Sequence, residues 1–399
     1  MAQNLTYFAE ALKIDYLPVI REQLNNSSAF LTTVQRNEKD VSGSRWQLTA
    51  HYQRNSGVGA GDETTLPTAG QQKYKNPYGN VKYNRGRIEV SGPVMEASRD
   101  DKGAIVRALD AEIQGVTRDL KKEINFQLMN DGTSVRALVN GDPSTGTTLT
   151  VDTPGTNYLY DGIIVDVVDA TTGAVEDEDV TLSTVNSTTA CTASAALDAN
   201  IEDNSKVVRA NSTDGAGTSY EMMGIKGIAD DGTYVVTLHN LSRDSYAWWK
   251  CSTFSTDSNA GTNRDMDLDL IQAAITAVEK NGGKTSMIIS DHDMRDAYAA
   301  LVVADKRFVN TLNLDGGFKA LEYNGIPWVA EIDCQPNTVF FLDMEHLFLM
   351  QMGDWKWMDR DGAVLSRVSG KDAYEAAIVW YADLATDRPK AHSFLRDVQ

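Results

Sequence analysis

The sequence predicts an α+β protein, and three segments carry that prediction. A glycine- and lysine-rich hairpin is expected over about 45–97, because its flanks, 45–52 and 82–90, alternate between apolar and polar residues as strands do. A long amphipathic helix follows over about 99–130. From residue 265 onward, short helical and strand-like patterns alternate. We therefore expect one long helix beside a sheet, followed by a second region of mixed structure.

The hairpin is the most informative of these segments. Its tip, residues 55–63, contains almost no apolar residue that could be buried. An arm this long cannot easily fold back on its own domain, so we expect it to lie on a neighbouring subunit. This layout favours an assembling shell protein over an enzyme. The predicted extended loop spans 53–88, and its basic residues are the expected contacts between subunits: Lys73, Lys75, Lys82, Arg85 and Arg87.

The long helix is predicted from apolar residues that recur at three- and four-residue spacing: Ile105, Leu109, Ile113, Val116, Leu120, Ile124 and Leu128. Ser98 followed by Asp101 resembles a capping box, and Asn130-Asp131-Gly132 ends the helix. Thirty residues make a rod of about 45 Å. The single apolar stripe predicts a rod that lies on a sheet with one side exposed.

The first 40 residues are interpreted as an arm with short helices. Leu5, Phe8, Ala9 and Leu12 share one helical face before Pro18 interrupts the pattern. The alternative is a helical edge of the domain itself, and the sequence of this segment leaves both open.

Residues 147–222 are rich in Thr, Ser, Val, Asp and Gly, and they predict a small β insertion without helix. Strands are expected at 162–168, 180–185 and 206–209. The acidic run at 176–179 lacks the alternating ligand spacing of a calcium loop, so a solvated acidic surface is the favoured interpretation.

The C-terminal third predicts alternating elements. They are a helix over 267–280, a buried strand over 285–289, a helix capped by Ser290 and Asp293 that runs to about Ala304, strands at 326–332 and 338–342, and a strand over 373–384 that is covered on both faces.

Composition limits the classes of protein. A chain of 399 residues can bury more than one core. Its longest apolar runs are seven residues, too short to span a bilayer, and no secretory signal is expected at the N-terminus. The three cysteines, Cys191, Cys251 and Cys334, form no CxxC pair, so reduced thiols in a cytosolic compartment are expected.

The charge is unevenly distributed. The net charge is −19, yet residues 1–130 carry 17 basic and 15 acidic residues. Residues 137–205 hold twelve acidic residues and no Lys or Arg, whereas 53–88 hold six basic and two acidic residues. This asymmetry suits head-to-tail contacts between copies and argues against nucleic-acid binding by most of the surface.

No catalytic, cofactor-binding or metal-binding residue is predicted. The five histidines show no metal spacing, and His292, between Asp291 and Asp293, is interpreted as a solvent-exposed residue at a helix start. The Gly57-x-Gly59-x-Gly61 pattern is followed by neither a helix nor GK[ST], so it is not a phosphate-binding loop.

Taken in order, these segments resemble the major capsid proteins of tailed bacteriophages, which have the Hong Kong 97-like fold. Three short segments add to the resemblance. Residues 126–132 are similar to the family's sequence at the end of the spine helix, and 323–329 to the sequence at the start of one of its strands. Residues 361–365 with 373–379 are similar to its closing strands. The resemblance implies an N-terminal arm (1–44), peripheral-domain strands with an extended loop (45–97, loop 53–88), a spine helix (98–132), an axial domain with the β insertion (133–364), and closing strands that return to the peripheral domain (365–399).

The resemblance also implies a function and partners. The chain would form the hexamers and pentamers of an icosahedral virion capsid, made in the host cytoplasm, that encloses double-stranded DNA without sequence-specific binding. A portal protein, a separate scaffolding protein and, in some members, a decoration protein would be partners, and no membrane would be involved. Some members crosslink through a loop lysine; Lys73, Lys75 and Lys82 are available, but no partner Asn or catalytic Glu can be matched.

Two alternatives stay open at this point. An encapsulin-type nanocompartment shares the fold and would enclose a cargo enzyme in place of a genome. A secreted β-rich carbohydrate-active enzyme or adhesin belongs to another class, and the missing signal and missing site argue against it.

Overall fold

The computed structural model describes residues 17–25, 28–60, 66–93, 102–143, 145–152, 155–255, 263–304, 311–313, 319–359, 364 and 366–399. The predicted helical face at 5–12 and the predicted cap at Ser98 and Asp101 lie outside these residues. Within them the α-helices are Leu17–Asn25, Ala29–Thr33, Lys102–Met129, Ile225–Ile228, Leu268–Lys280 and His292–Ala304. Short 3-10 turns occupy Ala247–Trp249, Met344–His346 and Pro389–Ala391.

The first sheet is built around one long strand, Ala373–Thr386. This strand covers the predicted range 373–384 and is largely buried, as its apolar composition indicated. The strand Lys82–Ser91 pairs antiparallel with 373–382 on one side. On the other side lie Leu347–Gln351, Lys356–Trp357 and Ser366–Arg367, and Gln35–Asn37 pairs parallel with Leu347–Gln351.

The long helix Lys102–Met129, here called the spine helix, packs on this sheet. Ile113, Leu120, Ile124 and Leu128 are buried and Val116 is half-buried, which confirms this part of the predicted apolar stripe. The side chains of Ile105 and Leu109 lie outside the described residues. The predicted exposed side is present between Glu112 and Lys122, within the part of the helix whose side chains the structure describes. From Ile124 to the end of the helix every residue is buried, because the β insertion and the second half of the chain also pack there.

The β insertion forms a closed barrel. Its strands are all antiparallel in the order Val135–Leu138, Lys206–Arg209, Ile164–Val168, Val175–Ser187, Ala190–Ala193 and Thr148–Thr150. A bridge between Val139 and Val151 joins the two ends of this order. The barrel encloses its own apolar core, which includes Val165, Leu182, Cys191 and Val207. The predicted strands are confirmed, but the barrel begins at Val135 and not at 147.

The second sheet has seven strands in the order Ser252–Phe254, Ser393–Arg396, Thr338–Leu342, Met287–Ser290, Ile326–Ala330, Lys319–Tyr323 and Thr311–Asn313. Helices Leu268–Lys280 and His292–Ala304 pack against it. The predicted cap of the second helix was wrong. Asp291 accepts from the amide of Met294, whereas the Ser290 hydroxyl accepts from the indole of buried Trp328.

The hairpin region forms small sheets of its own. Val41–Ser42, Arg45–Gln47 and Tyr78–Asn80 make a three-stranded sheet, and Ala50–Gln53 pairs with Lys73–Lys75. Thr237–Leu238 and Leu241–Ser242 form a separate two-stranded ribbon. The indole of Trp46 is fully buried and donates to Asp383, which fixes the base of the hairpin to the long central strand.

Each of the two large sheets takes strands from more than one of the predicted regions. Leu347–Gln351 and Lys356–Trp357 belong to the first sheet, although the sequence placed them in an axial region ending at 364. Ser393–Arg396 belongs to the second sheet and does not return to the first. The described part of the predicted N-terminal arm also belongs to the packed core. Leu24, Phe30 and Leu31 are buried in the same core as the spine helix. The predicted boundaries at 44 and 364 therefore cut through packed units.

The described helices include none that is long and apolar enough to cross a membrane. Cys191, Cys251 and Cys334 are all free and buried. Burial raises the pKa of each of these thiols, which keeps them protonated and unreactive.

Candidate assembly surfaces

The hairpin carries the most exposed apolar side chains of the described chain. Val58 and Leu66 are 86% and 90% exposed near its tip, and Tyr74 is 58% exposed. Residues 61–65 lie outside the described residues. Among the described residues, the pairing of Ala50–Gln53 with Lys73–Lys75 and the hydrogen bonds from the amides of Gly57 and Gly70 to Asn55 hold this segment. These exposed apolar side chains are available for contact with another protein.

The predicted contact residues fall into two groups. Lys73 and Lys75 lie on the hairpin strand Lys73–Lys75; Lys73 is exposed, and Lys75 Nζ stands 5.3 Å from the ring centroid of Tyr246. Lys82, Arg85 and Arg87 lie on the strand Lys82–Ser91 of the first sheet. The free part of the predicted loop is therefore shorter than 53–88, because its last seven residues are paired with the central strand.

The three basic residues on the sheet have different environments. Lys82 Nζ donates to the carbonyl of Ser219 at 2.6 Å, so it ties the strand to the end of the barrel. Arg87 pairs with Glu375 at 2.6 Å and with Glu89 at 3.1 Å. Arg85 is exposed and makes no ion pair within the described chain.

A cluster of charged side chains, of which Arg136 and Glu221 are buried, joins the spine helix to the barrel. Glu123 of the helix contacts Arg136 and Arg209 of the barrel, each at 2.5 Å, and Arg136 stands 3.5 Å from Glu221. Burial opposes ionisation of Glu123, but Arg136 and Arg209 outweigh it and lower its pKa. Burial raises the pKa of Glu221 to about 8, and the charge of Glu123 adds to the rise. Sequence reasoning missed this joint, since no local pattern links residues so far apart.

Two further buried carboxyl groups lie where substructures meet. Asp383 accepts from the indole of Trp46 and the amide of Met223, and burial raises its pKa to about 6. Burial likewise raises the pKa of Glu331 to about 7, although the amides of Ala29 and Phe30 donate to it. Both groups hold hairpin or N-terminal segments against the sheets, which is a structural role.

Two clefts lie beside these contacts between substructures. One, of about 520 Å³, lies between the hairpin strand Ala50–Gln53 and the segment 387–390, where Tyr52 stacks on Trp248. The other, of about 410 Å³, lies between the strand Lys82–Ser91, the spine helix and the barrel. Among the described residues no cluster of three His, Cys, Asp or Glu side chains could hold a metal ion. His292 is exposed at the start of its helix.

The overall fold was compared with known proteins. No protein-family model matches the chain, and no curated protein matches it. The capsid asymmetric unit of cyanophage A-1(L) is similar in structure, with 15% identity and a TM-score of 0.56 over 96% of this chain and 92% of that chain.

Two other solved structures are similar at a lower level. The capsid of a native GTA particle aligns at 9% identity with a TM-score of 0.48, over 94% of this chain and 91% of that chain. The SrpI encapsulin of Synechococcus elongatus PCC 7942 aligns at 8% identity with a TM-score of 0.47, over 93% and 88%. The similarity to the cyanophage capsid establishes the fold, and it confirms that this chain has the α+β Hong Kong 97-like fold predicted from its sequence.

Proposed function

We propose that this chain is the major capsid protein of a tailed bacteriophage, and that it has a structural rather than an enzymatic role. The observation that carries the proposal is the fold, which nearly the whole chain shares with a cyanophage capsid subunit. Its hexamers and pentamers would form an icosahedral shell around double-stranded DNA.

The physical character of the subunit supports this proposal. Val58 and Leu66 are exposed on the hairpin, beyond the pairing of Ala50–Gln53 with Lys73–Lys75. Interfaces between subunits of permanent assemblies bury large apolar areas, and these side chains would be covered in such an interface.

Charge supports the proposed cargo. Residues 137–205 carry twelve acidic residues and no basic residue, so this stretch of the surface repels a polyanion. A wall of this character would enclose DNA without adhering to it. We further propose a separate scaffolding protein and a portal protein as partners, synthesis in the host cytoplasm, and assembly into the virion capsid.

Electron microscopy of the purified protein tests the proposal. The protein should be produced alone and together with candidate scaffolding proteins. Closed particles with five- and six-fold units are the expected result. Only small discrete species by light scattering and microscopy, under all of these conditions, would contradict it. Particles that enclose a protein cargo, with no portal encoded nearby, would instead favour a nanocompartment.

A further inference from the structure

The 520 Å³ cleft beside the hairpin is lined by an excess of cationic side chains. Arg54 lies on the hairpin side of this cleft, and Arg388 and Lys390 lie on the other side. None of the three forms an ion pair with another described residue. In a chain whose net charge is −19, such a lining does not follow from the composition. The cleft therefore concentrates positive charge where most of the chain carries negative charge.

The surroundings hold one of these cations at the cleft and offset the negative charge beside it. Arg388 Nη2 donates to the carbonyl of Asn281, directly after the helix Leu268–Lys280, so a neutral acceptor positions the guanidinium without cancelling its charge. Among the described lining residues the carboxylate is Asp387, which lies 2.9 Å from Nδ1 of His346. That hydrogen bond raises the pKa of His346, and the protonated imidazole offsets the charge of Asp387.

A buried donor without an acceptor also belongs to the lining. The indole Nε1 of Trp248 is buried and has no hydrogen-bond partner among the described residues. Its ring stacks on Tyr52, with centroids 5.1 Å apart and planes 13° from parallel. Buried polar groups are nearly always hydrogen-bonded. An indole N–H, two guanidinium groups and an ammonium group can only donate, so the ligand that suits them accepts hydrogen bonds and carries negative charge.

We propose that free inorganic phosphate, or a diphosphate, binds in this cleft and bridges Arg54 of the hairpin to Arg388 and Lys390. Phosphate carries more than one negative charge near neutral pH and accepts at several oxygens, which matches three cations better than a single carboxylate does. Because its partners lie on two segments, the bound anion would tie the base of the hairpin to the segment 387–390. Duplex DNA is far wider than the cleft. This inference goes beyond the proposed function and does not depend on it.

Equilibrium dialysis of the unassembled full-length chain against radiolabelled inorganic phosphate measures this binding directly. The ionic strength is held constant with sodium chloride, since screening alone weakens exposed charge pairs. We expect saturable binding of one phosphate per chain, and we expect unlabelled diphosphate to displace it. A short DNA duplex should not displace it. Absence of saturable binding, or displacement by the duplex and not by diphosphate, overturns the inference.

A matched pair of double variants tests which cations are used. Arg54→Gln with Lys390→Gln removes two of them and keeps Arg388, which also holds the carbonyl of Asn281. Lys39→Gln with Arg118→Gln makes the same change in charge at exposed positions outside the cleft. Both should keep the helix content of the wild type by circular dichroism. The first should bind phosphate at least about tenfold more weakly and the second should bind it normally. Equal affinities overturn the inference.

Hydrogen exchange tests whether the anion bridges the two segments. At a phosphate concentration ten times the dissociation constant, openings that break the bridge should become about tenfold rarer. Amides within residues 49–54 should therefore exchange more slowly with phosphate in the wild type and in the control variant, and at an unchanged rate in Arg54→Gln with Lys390→Gln. Exchange that phosphate leaves unchanged in the wild type overturns the bridge between the hairpin and the segment 387–390.

Discussion

Gly86 of the strand Lys82–Ser91 lies so close to Val116 of the spine helix that a Cβ atom on the glycine would stand 2.7 Å from Val116 Cγ1. The Cδ1 atom of Leu120 is equally close, and Ile378 of the central strand is 3.1 Å away. The absence of a side chain at this position lets the helix approach the sheet.

This contact predicts that alanine substitutions at two glycines have opposite effects on stability. Gly86→Ala should lower the free energy of unfolding by about 1–3 kcal/mol, since a methyl group would overpack the contact. Gly115→Ala is the control, because nothing lies within 4 Å of its Cβ position and alanine favours the helix by about 1 kcal/mol. Thermal melts followed by circular dichroism measure both. A wild-type melt for Gly86→Ala would show that the helix can move away from the strand at little cost.

The barrel is predicted to fold alone. Its chain enters and leaves at neighbouring points, since the hydroxyl groups of Ser134 and Ser219 are hydrogen-bonded to each other. It also has an apolar core of its own. A fragment of residues 134–219 should therefore give dispersed amide resonances and a cooperative melt.

A second fragment, 147–222, provides the control for the barrel. It follows the boundaries predicted from the sequence and lacks Val135–Leu138, the strand that closes the barrel between Lys206–Arg209 and Thr148–Thr150. It should be unfolded or aggregate, because the open edge exposes the core. If both fragments fold equally well, closure of the barrel contributes little.

The buried carboxyl group of Glu221 should make the stability of the folded chain depend on pH. Its pKa is raised from its ordinary value of 4.5 to about 8. The folded chain therefore binds this proton more tightly than the unfolded chain. The contribution to stability is fully present below about pH 4.5 and is lost as the pH rises through about 8, by at most about 1.4 kcal/mol per pH unit.

Glu221→Gln should remove this contribution, because an amide resembles the protonated carboxyl at every pH. Between pH 6 and pH 9 the urea midpoint of the wild type should fall further than that of the variant. Glu345→Gln, at an exposed carboxyl, should follow the wild type. Parallel curves for wild type and Glu221→Gln would mean that Arg136 and Arg209 keep Glu221 ionised.

Charge at the hairpin is predicted to support assembly. Lys73→Glu with Lys75→Glu should weaken assembly and leave the subunit folded, because both residues lie outside the main sheets. Each exposed pair contributes at most about 1 kcal/mol, but the contact repeats at every subunit. Raising the salt concentration should produce a milder form of the same defect, since screening acts over about 10 Å at 0.1 M.

Lys39→Glu with Lys122→Glu makes the same change in net charge at exposed positions elsewhere and serves as the control. Light scattering during assembly at low salt compares the two double variants. Normal assembly of the hairpin variant would indicate that backbone pairing and apolar contacts hold the hairpin. Arg87 is left unchanged, because reversing its charge would also break its pairs with Glu375 and Glu89.

The sequence by itself determined the local elements. The spacing from Ile113 to Leu128 specified the spine helix, and alternation specified the strand 82–90 and the three strands within 162–209, because these patterns reflect one buried face in a helix or strand. The order of these elements was sufficient for the resemblance to a capsid fold. It also identified the hairpin as the exposed segment, since so few of its residues could be buried.

Tertiary structure decided which elements share a sheet. Leu347–Gln351 joins the first sheet and Ser393–Arg396 the second, although neither strand's own residues specify a partner. It also closed the barrel through Val135–Leu138 and brought Glu123, Arg136, Arg209 and Glu221 together between the spine helix and the barrel. Strand pairing and charge burial depend on groups far apart in the chain, so a local pattern of residues does not predict them.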